Sequence, residues 1–77
     1  MNNTEQTSYT VQLSDERGLR EVARYEATED AAEALDNIAT GYAAATGGTV
    51  RNVAAGRVEI VAAGGQFLAD LAIVATR

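Results

Sequence analysis

Alternating apolar and polar positions begin the readable part of the chain. From Ser8 to Leu13, Tyr9, Val11 and Leu13 fall on one side, and Thr10 and Gln12 on the other. That period-two pattern predicts a strand with one buried face. Ser14-Asp15-Glu16-Arg17-Gly18 follows as a turn, with Gly18 suited to a positive φ. Leu19 to Ala27 then reads two ways. As a strand it aligns Leu19, Ala23 and Tyr25, with Glu21 as a misfit, and leaves Arg20, Val22, Arg24 and Glu26 opposite. As a helix it aligns Leu19, Val22, Ala23 and Ala27. The preceding turn favours the strand, because it would close a hairpin with the first.

The period changes at Thr28. Its hydroxyl is placed to cap a helix, and Glu29 and Asp30 would sit in the first turn, where carboxylates complement the helix dipole. Ala31, Leu35, Ile38 and Tyr42 then recur at helical spacing, while Glu29, Asp30, Glu33 and Asp36 centre on the opposite side. Gly47-Gly48 ends the helix with residues that tolerate the left-handed region. Beyond it, Thr49 to Val53 and Arg57 to Ala63 read as strands separated by Ala54-Ala55-Gly56. Gly64-Gly65 reads as a two-residue hairpin turn, and Gln66 to Thr76 as a last strand. These elements predict a small α+β domain over 8–77. Its antiparallel sheet has four or five strands with one helix packed on one face, in the order ββαββ or ββαβββ. Residues 1–7 read as a disordered polar lead-in.

The last strand breaks simple alternation. Phe67, Ala69, Leu71, Ile73 and Ala75 share one face, yet Leu68, Ala72 and Val74 on the other are also apolar. One helix covers one face, so the second predicts either exposed apolar surface or a partner. Leu68, Ala72 and Val74 are therefore candidate homodimer contacts.

Composition narrows the chemistry. With 77 residues, the chain buries only roughly 60–65% of its unfolded surface and forms a thin core. It has no Cys, His, Lys or Trp. A disulfide and a Cys/His metal site are thereby excluded, and hydroxyl nucleophiles lack the bases that usually activate them. Gly47-Gly48 lies at the wrong helix end for a phosphate, and Gly64-Gly65 matches no nucleotide-binding fingerprint. No catalytic residue, cofactor or metal site is expected. No apolar run reaches membrane-spanning length, and the N-terminal residues do not resemble a secretory signal, so a cytoplasmic protein is expected.

The net charge of −5 disfavours direct binding to nucleic acid or to an anionic membrane. Residues 1–36 hold nine acids against three Arg, whereas residues 37–77 hold two acids against three Arg. Glu26, Glu29, Asp30, Glu33 and Asp36 form a run without a base. The last four would span about 10 Å of helix, one charge per roughly 3 Å, the same order as the phosphate spacing of duplex DNA. Asp15 and Glu16 in the turn could extend the patch. Such a face is either merely solvated or attracts something basic. The acids fan over a surface instead of converging, which argues against a cation cage or an acid/base pair.

In gross traits alone (short, acidic, α+β, without catalytic residues) the chain is similar to small phage-encoded inhibitors, including some anti-CRISPR proteins. The similarity covers no residue pattern and transfers no sites. It implies a non-enzymatic, DNA-mimicking module that occludes a basic surface of a larger protein in the host cytoplasm. Glu26, Glu29, Asp30, Glu33 and Asp36 are its candidate contacts. A structural homo-oligomer is the alternative.

Overall fold

A computed structural model describes residues 7–76. The lead-in expected over 1–7 lies, apart from Thr7, outside the described residues. The elements run β1 (Ser8–Asp15), β2 (Gly18–Tyr25), α1 (Thr28–Thr46), β3 (Thr49–Ala54), β4 (Arg57–Val61) and β5 (Phe67–Thr76). This is the ββαβββ order, and Leu19 to Tyr25 is strand. All pairings are antiparallel, and the strands lie in the order β2-β1-β5-β4-β3.

That order explains the helix position. α1 links β2 to β3, which are the two opposite edges of the sheet. Five strands span about 19 Å from first to last, and 19 helical residues reach about 28 Å. The helix can therefore cross the whole sheet, and it touches all five strands. Ala31, Leu35, Ala39 and Ala43, each four residues from the next, are its buried ridge. Three of the four are Ala, so the helix backbone can come close to the sheet. Val11, Leu13, Val58, Ile60, Ala69 and Leu71 meet them from below. Ile38 and Tyr42, predicted to be central to the stripe, pack at its flank.

Local details depart from prediction where the chain's neighbours decide. The N-cap is Ala27, extended at φ −116°, with no side-chain cap; Thr28 is the first helical residue. Gly47 adopts φ 72°, and the Gly48 N–H donates to the Ala43 carbonyl at 2.8 Å. Gly48 is also required by space. A Cβ there would lie 2.7 Å from the Val61 carbonyl oxygen. The Gly64-Gly65 turn is a three-residue loop, not two. The Ala62 N–H donates to the Gln66 carbonyl, the Gly65 N–H donates to the Ala62 carbonyl, and Gly65 takes the positive φ. That is a tight turn closed by a left-handed glycine.

Three bulges set which residues face the helix. Val11 pairs with Ala23 but Gln12 with Glu21, so Val22 is an extra residue. Leu68 is likewise extra between the Ile60–Ala69 and Val61–Phe67 pairs, and Val53 between Asn52–Val58 and Ala54–Arg57. An extra residue flips the alternation that follows it. In β2 this resolves the Glu21 misfit. Ala23 and Tyr25 face the helix side, whereas Glu21 and Leu19 share the open face with Gln12 and Ser14. In β5 it separates Leu68 from Ala72 and Val74.

Candidate functional site

The helix delivers the acidic face as its period requires. With Ala31 and Leu35 buried, Glu29, Asp30, Glu33 and Asp36 are all exposed. Glu26, in the bend before α1, is exposed as well. Among the described residues, none of these five forms an ion pair. Nor do any three His, Cys, Asp or Glu there form a group that could hold a metal ion. The arrangement is a surface of like charges on a rigid rod. It can attract and orient cations, but its acids do not converge on one point.

The turn acid Asp15 does not extend this surface. Because Val22 bulges, Arg20 lies on the helix side beside Leu13, and Asp15 lies next to it. Arg20 clamps Asp15 with both terminal nitrogens, at 3.1 and 3.2 Å. The Arg17 backbone N–H donates to the same carboxylate at 2.9 Å, and the Tyr42 hydroxyl donates at 3.1 Å. The Asp15 side chain is left 6% exposed. The Arg20 hydrogen bonds, followed by that of the Arg17 amide, hold its pKa down at about 2, against a usual 3.8. Burial chiefly, and then the bond to Asp15, raises the Tyr42 pKa. This cluster ties the β1–β2 turn to the helix. Sequence spacing gave no sign of it, because Tyr42 is 27 residues from Asp15. Only the helical position of Tyr42 hinted that its hydroxyl would sit at the edge of the core.

The open sheet face differs from the expected apolar surface. Ala72 and Val74 are on it, but Leu68 packs against the core on the helix side, where its Cδ1 approaches Gly48. The bulge is the reason. The open face also carries charges, and they are matched. Arg24 pairs with Glu21 at 3.2 Å, Arg57 with Asp70 at 3.1 Å and Arg51 with Glu59 at 2.5 Å. Leu19 is 65% exposed there and Val74 37%. Thr10 is buried beside Arg24 and Val74, and its hydroxyl has no partner among the described residues.

Two adjoining clefts lie between the N-terminal half of the helix and the β3–β4 turn. One, of about 610 Å³, has Glu33 and Asp36 on its helix wall and Val53 and Val58 on its sheet wall. The other, of about 410 Å³, lies among Tyr9, Thr28, Ile73 and Ala75. Ala32, Ala55 and Gly56 belong to both. Among the described residues no helix is long and apolar enough to cross a membrane. Compared with protein-family models, curated proteins and solved structures, the chain matches none.

Proposed function

We propose that the protein is a non-enzymatic binding module whose acidic helix face engages a basic surface of a larger protein, such as one that handles nucleic acid. One observation carries this reading. Glu29, Asp30, Glu33 and Asp36 are exposed on one helix with no basic partner among the described residues, whereas Asp15, Glu21, Glu59 and Asp70 elsewhere are each paired with Arg. Unpaired charges on a rigid rod steer an oppositely charged partner; paired ones largely cancel at a distance. Occupying a basic groove in place of phosphates would inhibit such a partner. Replacing Glu29, Glu33 and Asp36 together by Lys should slow association about tenfold or more at low salt, with the difference shrinking as salt rises. Unchanged association in a salt titration of that triple variant, followed with the captured partner, would sink the reading.

A homo-oligomer through the open sheet face draws on Ala72, Val74 and the exposed Leu19. Against it, the same face carries three ion pairs that would have to be desolvated or rearranged in the interface. Light scattering after size exclusion tests assembly: a dimer at tens of micromolar supports it, a clean monomer overturns it, and neither bears on the acidic face, which a dimer would present twice.

A further inference from the structure

The acidic helix lies beside a feature that the charge argument does not use. β3 is an edge strand: it pairs with β4 and with no other described strand. From Thr49 to Asn52 its register is unbroken, and Arg51, the only charged residue of the strand, is paired with Glu59. Edge strands are usually blunted by charges, Pro or distortion. β2, the opposite edge, carries three charged residues, Arg20, Glu21 and Arg24, all of them in ion pairs, and a bulge in mid-strand at Val22. β3 is blunted only near its end, by the Val53 bulge. At that end of the strand, against Asn52, Val53 and Ala54, the larger cleft presents Leu35, Val53 and Val58 as apolar lining and Glu33 and Asp36 as acids. Its one basic wall residue, Arg57, is bound to Asp70.

We infer that β3 and this cleft form a docking site for an extended, basic segment of the partner, which adds to the sheet as a sixth strand. Charge selects the occupant. An alternating segment places every second side chain toward the helix side. Basic residues there reach Glu33 and Asp36, and small apolar ones fill the cleft, while main-chain hydrogen bonds to β3 supply affinity. A second copy of this chain fits less well, because its own acidic helix would approach Glu33 and Asp36. This inference rests on the acidic-face reading and refines it, since it locates the contact at one edge and specifies a strand.

The test is an NMR titration of the whole chain with an octapeptide of alternating Arg and Val. Two further versions are N-methylated on alternate amides, one in each phase. The amides of residues 49–54 should shift on binding. One N-methyl phase should weaken binding about tenfold or more and the other should be tolerated, because only one side of a strand faces β3. Glu33→Gln with Asp36→Asn should weaken the unmodified peptide severalfold at low salt, with the gap closing at high salt. Shifts confined to 29–36, with both N-methylated peptides binding equally, would overturn the strand site and leave the acidic-face reading standing. Shifts centred on 18–25, or concentration-dependent shifts of β3 without peptide, would overturn it in favour of the other edge or of a second copy. Absence of binding at millimolar peptide would overturn it too, while the acidic-face reading keeps its own test with the charge-reversed triple variant.

Discussion

The outer face of α1 and the open face of the sheet both meet solvent, and both are rich in charge. On the helix, Glu29, Asp30, Glu33 and Asp36 have no partners among the described residues. On the sheet, three acids meet three Arg in cross-strand or short-range pairs. At physiological salt, fields of exposed charges fade over about 8 Å. The four helix acids span about 10 Å, so an approaching cation feels several of them together. A sheet pair has a separation of about 3 Å and looks nearly neutral from the same distance. Whether a surface acts at a distance depends on pairing, not on how many acids it holds.

Both faces rest on one core, so the largest effect comes from removing it. Leu71 is fully buried between β1 and β4 under the helix. Leu71→Ala should cost about 2–5 kcal/mol, against about 0.5–1.5 for Ile60→Val. In a domain this size each kcal/mol lowers Tm by roughly 4–8 °C. Urea unfolding followed by far-UV and near-UV signals checks it. If the sheet signal survived while the helix was lost, the two faces would not share a core.

The next effect concerns the join between helix and β-hairpin. Asp15→Asn removes the charge that Arg20 clamps and that the Tyr42 hydroxyl meets. The Asp15 pKa is depressed from 3.8 to about 2 in the fold. Its contribution is therefore fully present above the unfolded value and lost as pH falls toward the folded one. Wild type should be more stable than Asp15→Asn at pH 6, and the advantage should shrink between pH 4 and pH 2. Tyr42 has the opposite sign. Its pKa is raised, so its contribution holds below the usual value and fades as pH climbs through the raised one. A gap between wild type and Asp15→Asn that ignores pH would mean that the carboxylate is not held as a charge.

Much of this was legible in the sequence, and the exceptions share a cause. The helix and its four acids follow from a local period of about 3.6 residues, which needs no knowledge of neighbours. The strands follow from alternation and glycine turns, which left ββαββ and ββαβββ both open. Val22 and Leu68 are different. A bulge exists only relative to the partner strand, so nothing near Leu68 announces that it leaves the face of Ala72 and Val74. The Asp15–Arg20–Tyr42 cluster was hidden for the same reason: the β2 bulge brings Arg20 to the helix side, and Tyr42 arrives from a distant element. Candidate sites that depend on one element's period were readable, and those that depend on register were not.

Altering the helix acids in place sharpens the contrast at moderate cost. Glu29 and Asp30 lie in the first turn, where each carboxylate should contribute about 0.3–1 kcal/mol through the dipole. Glu33 and Asp36 lie beyond it, three residues apart, and should repel by a few tenths. Glu29→Gln should therefore lower stability slightly, and Glu33→Gln with Asp36→Asn should raise it slightly. Thermal melts at low salt test both signs. If Glu33→Gln with Asp36→Asn destabilised as Glu29→Gln does, the outer acids would have structural partners and could not be free to bind.

The smallest effect tests the sheet side. Arg57 donates to Asp70 across neighbouring strands, and both side chains are partly exposed. A double-mutant cycle with Arg57→Ala and Asp70→Asn should give a coupling of about 0.2–1 kcal/mol, as for other solvent-screened pairs. Salt should act in opposite directions on the two faces. Raising it weakens the Arg57–Asp70 coupling, but it relieves repulsion between Glu33 and Asp36. The coupling should thus shrink between low and high salt while the stability gained by Glu33→Gln with Asp36→Asn also disappears. A coupling of zero at every salt concentration would mean that proximity on the open face does not amount to pairing. The sheet would then present free charges of both signs, and the helix would lose its claim to be the distinct charged surface of this protein.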